Sequence, residues 1–148
     1  MIELLPIQPT LDENTAFLDD PECRYILDMT IEYYKTIGFD RPWIGYFAKM
    51  NNRLVGSAGY KGGPLNNTIE IAYGTFPGFM SQGVGTAICK ELVTLALKTD
   101  PAIIITARTL PEHVHSTSIL EKNGFKLSGT IWDKDDGDVW EWKYPGSN

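Results

Sequence analysis

The stretch Ile69-Glu70-Ile71-Ala72-Tyr73-Gly74-Thr75-Phe76-Pro77-Gly78-Phe79-Met80-Ser81-Gln82-Gly83-Val84-Gly85-Thr86-Ala87 constrains this chain more than any other. Thr68 to Phe76 alternates as a strand does, Pro77 to Gly85 is rich in glycine, and Thr86 to Lys98 carries Ile88, Leu92, Leu95 and Ala96 on one side of a helix. The short β-branched run Pro101 to Ala107 follows, as expected of a strand covered on both faces in the middle of a sheet. A strand, a helix and a second strand in this order make a crossover, and a crossover requires a sheet with at least one parallel pair.

The flanking segments supply antiparallel partners. Ile2 to Ile7 reads as a first strand, Asp12-Glu13-Asn14 as a helix start, and the segment from Pro21 to Ile37 as a helix closed by Gly38. Within it Tyr25, Ile26, Met29, Tyr33 and Ile37 recur at spacings of three and four, and core packing is the expected use of that apolar face. Trp43 to Met50 and Arg53 to Tyr60 form a hairpin across Asn51-Asn52, and Lys61 to Asn67 is a loop by composition. Pro111 to Asn123 reads as a helix capped by Gly124, with Phe125 to Trp132 and Val139 to Tyr144 as a closing hairpin turned by Asp135-Asp136-Gly137. Trp140 and Trp142 share one face of the last strand. The expected fold class is α/β: one domain over residues 1–148, a mixed, mostly antiparallel sheet with a central parallel strand pair, flanked by helices.

Composition narrows the function classes. With 148 residues, 43% of them hydrophobic and 22% charged, the chain is sized for one core. It has no run approaching the roughly 20 apolar residues of a membrane span, so no membrane partner is expected. A formal net charge of −6 lacks the basic stripe of a nucleic-acid footprint. The start Met1-Ile2-Glu3-Leu4-Leu5-Pro6 carries no basic region followed by a long apolar run, so the cytoplasm is the expected compartment. Cys23 and Cys89 lack zinc spacing and read as reduced thiols, Cys89 as a small hydrophobe on a helix stripe. Asp133, Asp135, Asp136 and Asp138 depart from calcium-loop spacing and read as a solvated turn, so no metal is expected.

The glycine loop is anion-binding architecture. The first N–H groups of a helix have no intrahelical acceptor, the helix dipole adds positive potential there, and glycine lets a phosphate approach the main chain. A P-loop needs Lys followed by Ser or Thr after its second glycine, whereas Gly83 is followed by Val84-Gly85. A dinucleotide fingerprint needs a third glycine where Thr86-Ala87-Ile88 stands. Taken alone, Gly83 and Gly85 suit an anion cradle and a plain tight connection equally.

Resemblance decides between them. Met80-Ser81-Gln82-Gly83-Val84-Gly85 resembles the coenzyme A loop of the GNAT-type N-acetyltransferase superfamily, Arg/Gln-x-x-Gly-x-Gly/Ala, with Met80 at the Arg/Gln position. Pro111-Glu112-His113-Val114-His115-Ser116 and Glu121-Lys122-Asn123-Gly124-Phe125 resemble its Pro-Glu-Asn-x-x-Ser helix and Glu-Lys-x-Gly-Phe ending, with His113 in place of Asn. The two motifs stand in the family's order with its strand between them, and the nearest branch is that of ribosomal-protein N-terminal acetyltransferases. The resemblance implies acetyl-CoA as acetyl donor, no metal, and direct transfer to a primary amine, on a small molecule or a protein N-terminus.

It also implies roles. The backbone of Ser81, Gln82, Gly83, Val84, Gly85 and Thr86 would cradle the pyrophosphate. The strand end Tyr73, Gly74, Thr75 and Phe76 would supply a main-chain N–H to the thioester carbonyl, in a gap between splayed strands. Gly74, isolated in its strand, fits a bulge or a close backbone approach there. Glu70 matches the general base of some branches, though it also reads as one outward carboxylate of an alternating strand. His113 would hold the pantetheine arm, and Ser116 would meet the sulfur, or else serve as an ordinary helix-start hydroxyl. His115 reads as a surface residue. Leu120 occupies the position where many members have a tyrosine that protonates the leaving thiolate. That substitution leaves a non-catalytic acyl-CoA-binding module as the alternative. An edge strand or the Trp140/Trp142 face is available for a homodimer.

Overall fold

The computed structural model describes residues 1–112 and 115–145. Seven strands form one sheet in the order β1-β2-β3-β4-β5-β7-β6. They are β1 (Glu3–Pro6), β2 (Gly45–Met50), β3 (Arg53–Tyr60), β4 (Thr68–Thr75), β5 (Ile104–Thr109), β6 (Lys126–Asp133) and β7 (Gly137–Lys143). All neighbours are antiparallel except β4 and β5, which the helix α2 (Val84–Thr99) connects as a crossover. The expected mixed sheet with one central parallel pair is the sheet that forms.

Turn chemistry explains the hairpins. Asn51 and Asn52 take φ of 51° and 62°, the left-handed pair that a two-residue connection between twisted strands requires and that asparagine tolerates. Asn66 and Asn67 repeat it at 52° and 59°, closed by reciprocal bonds between Leu65 and Thr68, so part of the Lys61 to Asn67 loop is itself a tight turn. Asp133 accepts from the N–H groups of Asp135 and Asp136 at 2.8 and 3.2 Å and so holds the last turn. Those two bonds and the Arg108 guanidinium keep its carboxyl below the usual carboxylate range.

Helix α1 (Pro21–Ile37) starts on Asp20, whose Oδ1 accepts from Glu22 N at 2.9 Å, with Pro21 at the first position. Its buried stripe is Cys23, Leu27 and Tyr34. The Tyr34 hydroxyl donates to Ile7 O at 2.8 Å and accepts from Gly45 N at 2.9 Å, tying the helix to two strand ends. Burial pushes that phenol up to about 12, so it stays a donor. The face expected to pack is instead largely open: Tyr25, Met29 and Tyr33 are 67, 51 and 43% exposed. Ile26 and Ile37 are half-buried beside them.

Before α1 a 3₁₀ segment, Leu11–Phe17, buries Asn14. Asn14 Oδ1 accepts from Gln8 N at 2.8 Å, and Nδ2 donates to Gln8 O and Thr10 O at 3.0 and 2.9 Å. Asn14→Leu strands three main-chain groups and is expected to cost about 2–3 kcal/mol. Urea unfolding should show a lower midpoint with an unchanged slope.

Other sequence expectations shift. The central strand runs Ile104–Thr109 rather than Pro101 to Ala107, because Ala102 N is held by the Asp100 carboxylate and Ala102 O by the Asn67 amide. Helix α3 (His115–Lys122) is shorter than the Pro111 to Asn123 reading, part of which lies outside the described residues. Trp142 is 3% exposed and its indole donates to Thr109 Oγ1 at 3.0 Å, so on the Trp140/Trp142 face Trp142 belongs to the core and Trp140, partly buried, packs against it. Cys89 is buried as expected, and burial pushes its thiol up to about 12, where it is no nucleophile. No helix among the described residues is long and apolar enough to cross a membrane.

Candidate functional site

Strands β4 and β5 pair in parallel from Thr68↔Ile104 to Ile71↔Ala107 and no further, although β4 continues to Thr75 and β5 to Thr109. The sheet therefore opens beyond Ile71. Pleat alternation fixes which N–H groups face this gap. Lys61 N donates to Glu70 O and Phe76 N to Val55 O, so the even-numbered residues of β4 bond to β3. The N–H groups of Tyr73 and Thr75 consequently point toward β5, where pairing has ended.

No bulge produces the opening. Gly74 pairs in register with Ser57, and the irregularity in this part of the sheet lies between β2 and β3, at Ala48/Lys49. The close backbone approach is made by Gly56 instead: a Cβ there would collide with the carbonyl oxygen of Gly74. Gly74 itself has ordinary room, with Ser57 Oγ at 3.9 Å.

At the end of β4 the chain turns through Pro77–Phe79 into α2, and the turn is set by left-handed backbone at Ser81 (φ 64°) and Gly83 (φ 77°). Ala87 N bonds to Gly83 O at 3.1 Å, so the N–H groups of Val84, Gly85 and Thr86 have no acceptor within the helix. They border a cavity of about 190 Å³ lined by Thr75, Ser81, Gly83, Val84, Gly85, Thr86, His115 and Lys122. Gly85 is tightly packed: a Cβ there would lie 2.6 Å from Ile119 Cδ1 on α3 and 3.3 Å from Thr75 Oγ1, so those side chains would have to shift. Asn123 braces the same junction, donating to Thr86 O at 3.2 Å and Ile119 O at 3.0 Å. The arginine of β3, Arg53, lies over the Phe79 ring at 4.8 Å and pins the outer part of the loop. Unbonded N–H groups, a helix N-terminus and two basic side chains suit a phosphate group.

On the opposite face of the sheet, Glu70 is mostly buried between two cations. Its Oε2 lies 2.8 Å from Lys61 Nζ without the alignment of a hydrogen bond, and its Oε1 lies 3.6 Å from Arg108 Nε. Arg108 also binds Asp133 Oδ2 through Nη1 at 2.9 Å. A cavity of about 280 Å³ lined by Lys61, Arg108, Thr109, Leu110, Ser116, Asp133, Asp136 and Val139 adjoins this group. A third cavity, of about 310 Å³, lies between α1 and the floor of β2, β3 and β4, and reaches Tyr73 and Gly74 beside the gap. Tyr73 bridges toward α3, its hydroxyl 3.5 Å from Ser116 O, and burial raises its phenol.

The residues singled out in sequence thus separate into three groups. Thr75, Ser81, Gly83, Val84, Gly85 and Thr86 converge on the cradle, and Tyr73 and Gly74 border the gap. Ser116 lines a different cavity from the cradle, alongside the cations that hold Glu70. Gln82 is exposed and lines no part of the cradle, Phe76 is 7% exposed in the core, and His113 lies outside the described residues. His115 is exposed as expected, yet it borders the cradle. Sequence reasoning missed Lys61, Arg108 and Lys122. Only Lys122 carried a signal, as the lysine of the quoted Glu-Lys-x-Gly-Phe ending.

A model of the family described as "Acetyltransferase (GNAT) domain" matches residues 2–126. The uncharacterized N-acetyltransferase YjdG of Bacillus subtilis (strain 168) is 32% identical over 105 residues, an alignment covering 70% of this chain and 61% of that protein. This chain therefore spans about three fifths of that relative's length. Among solved structures, the RimL ribosomal L7/L12 alpha-N-protein acetyltransferase in complex with coenzyme A superposes with a TM-score of 0.70 at 18% identity, covering 99% of this chain and 96% of that one. The aminoglycoside acetyltransferase AAC(6')-Ib with coenzyme A gives 0.71 at 18% with the same coverage. A spermidine N-acetyltransferase SpeG chimera from Vibrio cholerae and hSSAT gives 0.71 at 14%, again covering 99% and 96%. At these identities the superpositions speak for the fold, and the family match covers most of the sequence: the chain belongs to the GNAT acetyltransferase family.

Proposed function

We propose that this protein transfers an acetyl group from acetyl-CoA directly to a primary amine. The observation that carries the reading is the gap after Ile71↔Ala107, with main-chain N–H groups facing it, next to the unbonded N-terminus of α2. Coenzyme A in the complexes of RimL and AAC(6')-Ib supports the choice of donor.

In this reading Val84, Gly85 and Thr86 bind the pyrophosphate, with Lys122 adding charge and His115 a ring nitrogen beside it, and the pantetheine arm follows the gap. The Tyr73 N–H donates to the thioester oxygen as negative charge develops on it. The amine lone pair forms the C–N bond at the carbonyl carbon, the C–S bond breaks, and the amine proton passes to Glu70 directly or through one water. The Ser116 hydroxyl relays to the leaving thiolate the second proton that the amine loses, taking it up as it passes its own on, so that CoA leaves as the free thiol. Leu120, at the place of the usual tyrosine, is 1% exposed and packed in the core.

The absence of that tyrosine favours one other reading, an acyl-CoA-binding module without turnover. Thiol release from acetyl-CoA across a panel of primary amines separates the two. Amine-dependent release above the hydrolytic background is the expected result, and tight binding with no release from any amine would leave only the module.

A further inference from the structure

The cavity between α1 and the sheet has a chemistry of its own. Its walls on the helix side are Ile26, Met29, Tyr33 and Ile37, and its floor is small-residue backbone of β2, β3 and β4, including Gly45, Gly59, Ala72 and Gly74. Among the described residues none of those lining it is a carboxylate, and the one charged residue is Lys61, whose ammonium is engaged with Glu70 at 2.8 Å. On the exposed side of α1, Glu32 is paired with Lys35 at 3.0 Å. Met29 and Tyr33 stay half-exposed although they are large and apolar, and they extend the wall outward to a second shallow depression that both also line. At about 310 Å³ the cavity is at the small end of ligand sites, which run from about 300 to 1,000 Å³.

These features select among amines. A polyamine or aminoglycoside brings several ammonium groups, and each one buried without a carboxylate pays a desolvation cost that an apolar wall does not return. A multi-ring saccharide also exceeds the volume. A single amine on an apolar body places its hydrocarbon against Ile26, Met29 and Tyr33 and its nitrogen toward Gly74 and the gap. We infer that the acceptor is a monoamine carried on an apolar, ring-sized body, either an arylalkylamine or the amino terminus of a chain that begins with a large apolar residue. This specificity rests on the acetyl-transfer reading above.

The test uses the full chain saturated with CoA for calorimetric titration, and with acetyl-CoA for turnover. The probes are 2-phenylethylamine, a tripeptide amide with N-terminal phenylalanine, spermidine and kanamycin. The two apolar amines should exceed both polycations at least about tenfold in kcat/KM, the discrimination that a well-fitted apolar pocket supplies. The ratio between them tells a free small amine from a chain terminus. In a Met29→Glu, Tyr33→Glu variant, made at exposed helix positions that tolerate charge, the preference should shrink about tenfold or more toward spermidine while the affinity for acetyl-CoA holds. A preference for spermidine or kanamycin, or a variant with unaltered preference, overturns the inference. If acetyl-CoA binds and no amine reacts, transfer itself fails. The titrations then decide the cavity: 2-phenylethylamine bound more tightly than spermidine keeps its assignment, and the reverse order or no binding ends it.

Discussion

Gly83→Val and Gly85→Val are each expected to weaken acetyl-CoA binding by roughly a hundredfold, the loss of about two charge-assisted hydrogen bonds to phosphate. The two act by different routes. At Gly83 nothing lies within 4 Å of a new Cβ, so the cost is conformational: φ is +77°, and a β-branched residue there is strained by about 1–2 kcal/mol unless the loop rearranges. Rearrangement turns the Val84, Gly85 and Thr86 N–H groups away from their common point. At Gly85 the backbone is ordinary, and the side chain itself intrudes, meeting Ile119 Cδ1 at 2.6 Å and Thr75 Oγ1 at 3.3 Å. Ile119 is buried, so relief comes by turning its side chain within packed surroundings or by shifting α3, whose Lys122 and His115 line the cradle. Isothermal titration with acetyl-CoA beside urea unfolding separates binding from folding. Undiminished affinity in both variants would place the cofactor elsewhere on the molecule.

The part of the fold written in contiguous residues was legible. The glycine turn, the Asn-Asn hairpin and the helix-stop at Gly38 are local conformational preferences, and the mixed sheet with one crossover followed from them, though not the order that sets β7 between β5 and β6. What failed was information carried by pairing. The period of α1 showed an apolar stripe, but Cys23, Leu27 and Tyr34 form a second one, and only the sheet decides which is buried. Gly74 stood out as an isolated glycine in a strand, while the demanding position, Gly56, pairs with Thr75 on the neighbouring strand, against the Gly74 carbonyl, and shows no signal of its own.

The candidate site divides in the same way. The main-chain part of its cradle, from Ser81 to Thr86, is nearly consecutive in sequence and was singled out there, with Gln82 falling outside it, whereas His115 and Lys122 reach it from α3 and were not read as part of it. The surroundings of Glu70 are not consecutive: Lys61 follows the end of β3, Arg108 comes from β5 and Asp133 from β6, and register alone assembles them. Reading Glu70 as one outward carboxylate of an alternating strand left out the two cations. They turn an ordinary strand residue into the centre of a charged group beside the gap.

Glu70→Gln tests what that group does, because glutamine keeps the shape and hydrogen-bonding capacity of the side chain and cannot take up a proton at neutral pH. If Glu70 accepts the amine proton, kcat/KM for transfer should fall by roughly 10²–10⁴-fold at pH 7. Acetyl-CoA affinity should hold, since Glu70 lines no part of the cradle. The substitution also leaves Lys61 and Arg108 without their shared carboxylate, and Arg108 with Asp133 alone, so a lower rate by itself does not distinguish a base from an anchor. The pH dependence does. A base is needed because an amine with a pKa near 10 reaches the site as an ammonium at pH 7. An ammonium loses two protons on its way to an amide, and as pH rises toward that value more amine arrives with the first already gone, so the variant no longer needs Glu70 to accept it. The deficit of the variant relative to the unmodified protein should therefore be largest at pH 6 and shrink steadily toward pH 9.5. A deficit that stays constant across that range would assign Glu70 to holding Lys61 and Arg108 in place, and the proton would then have to leave through water alone.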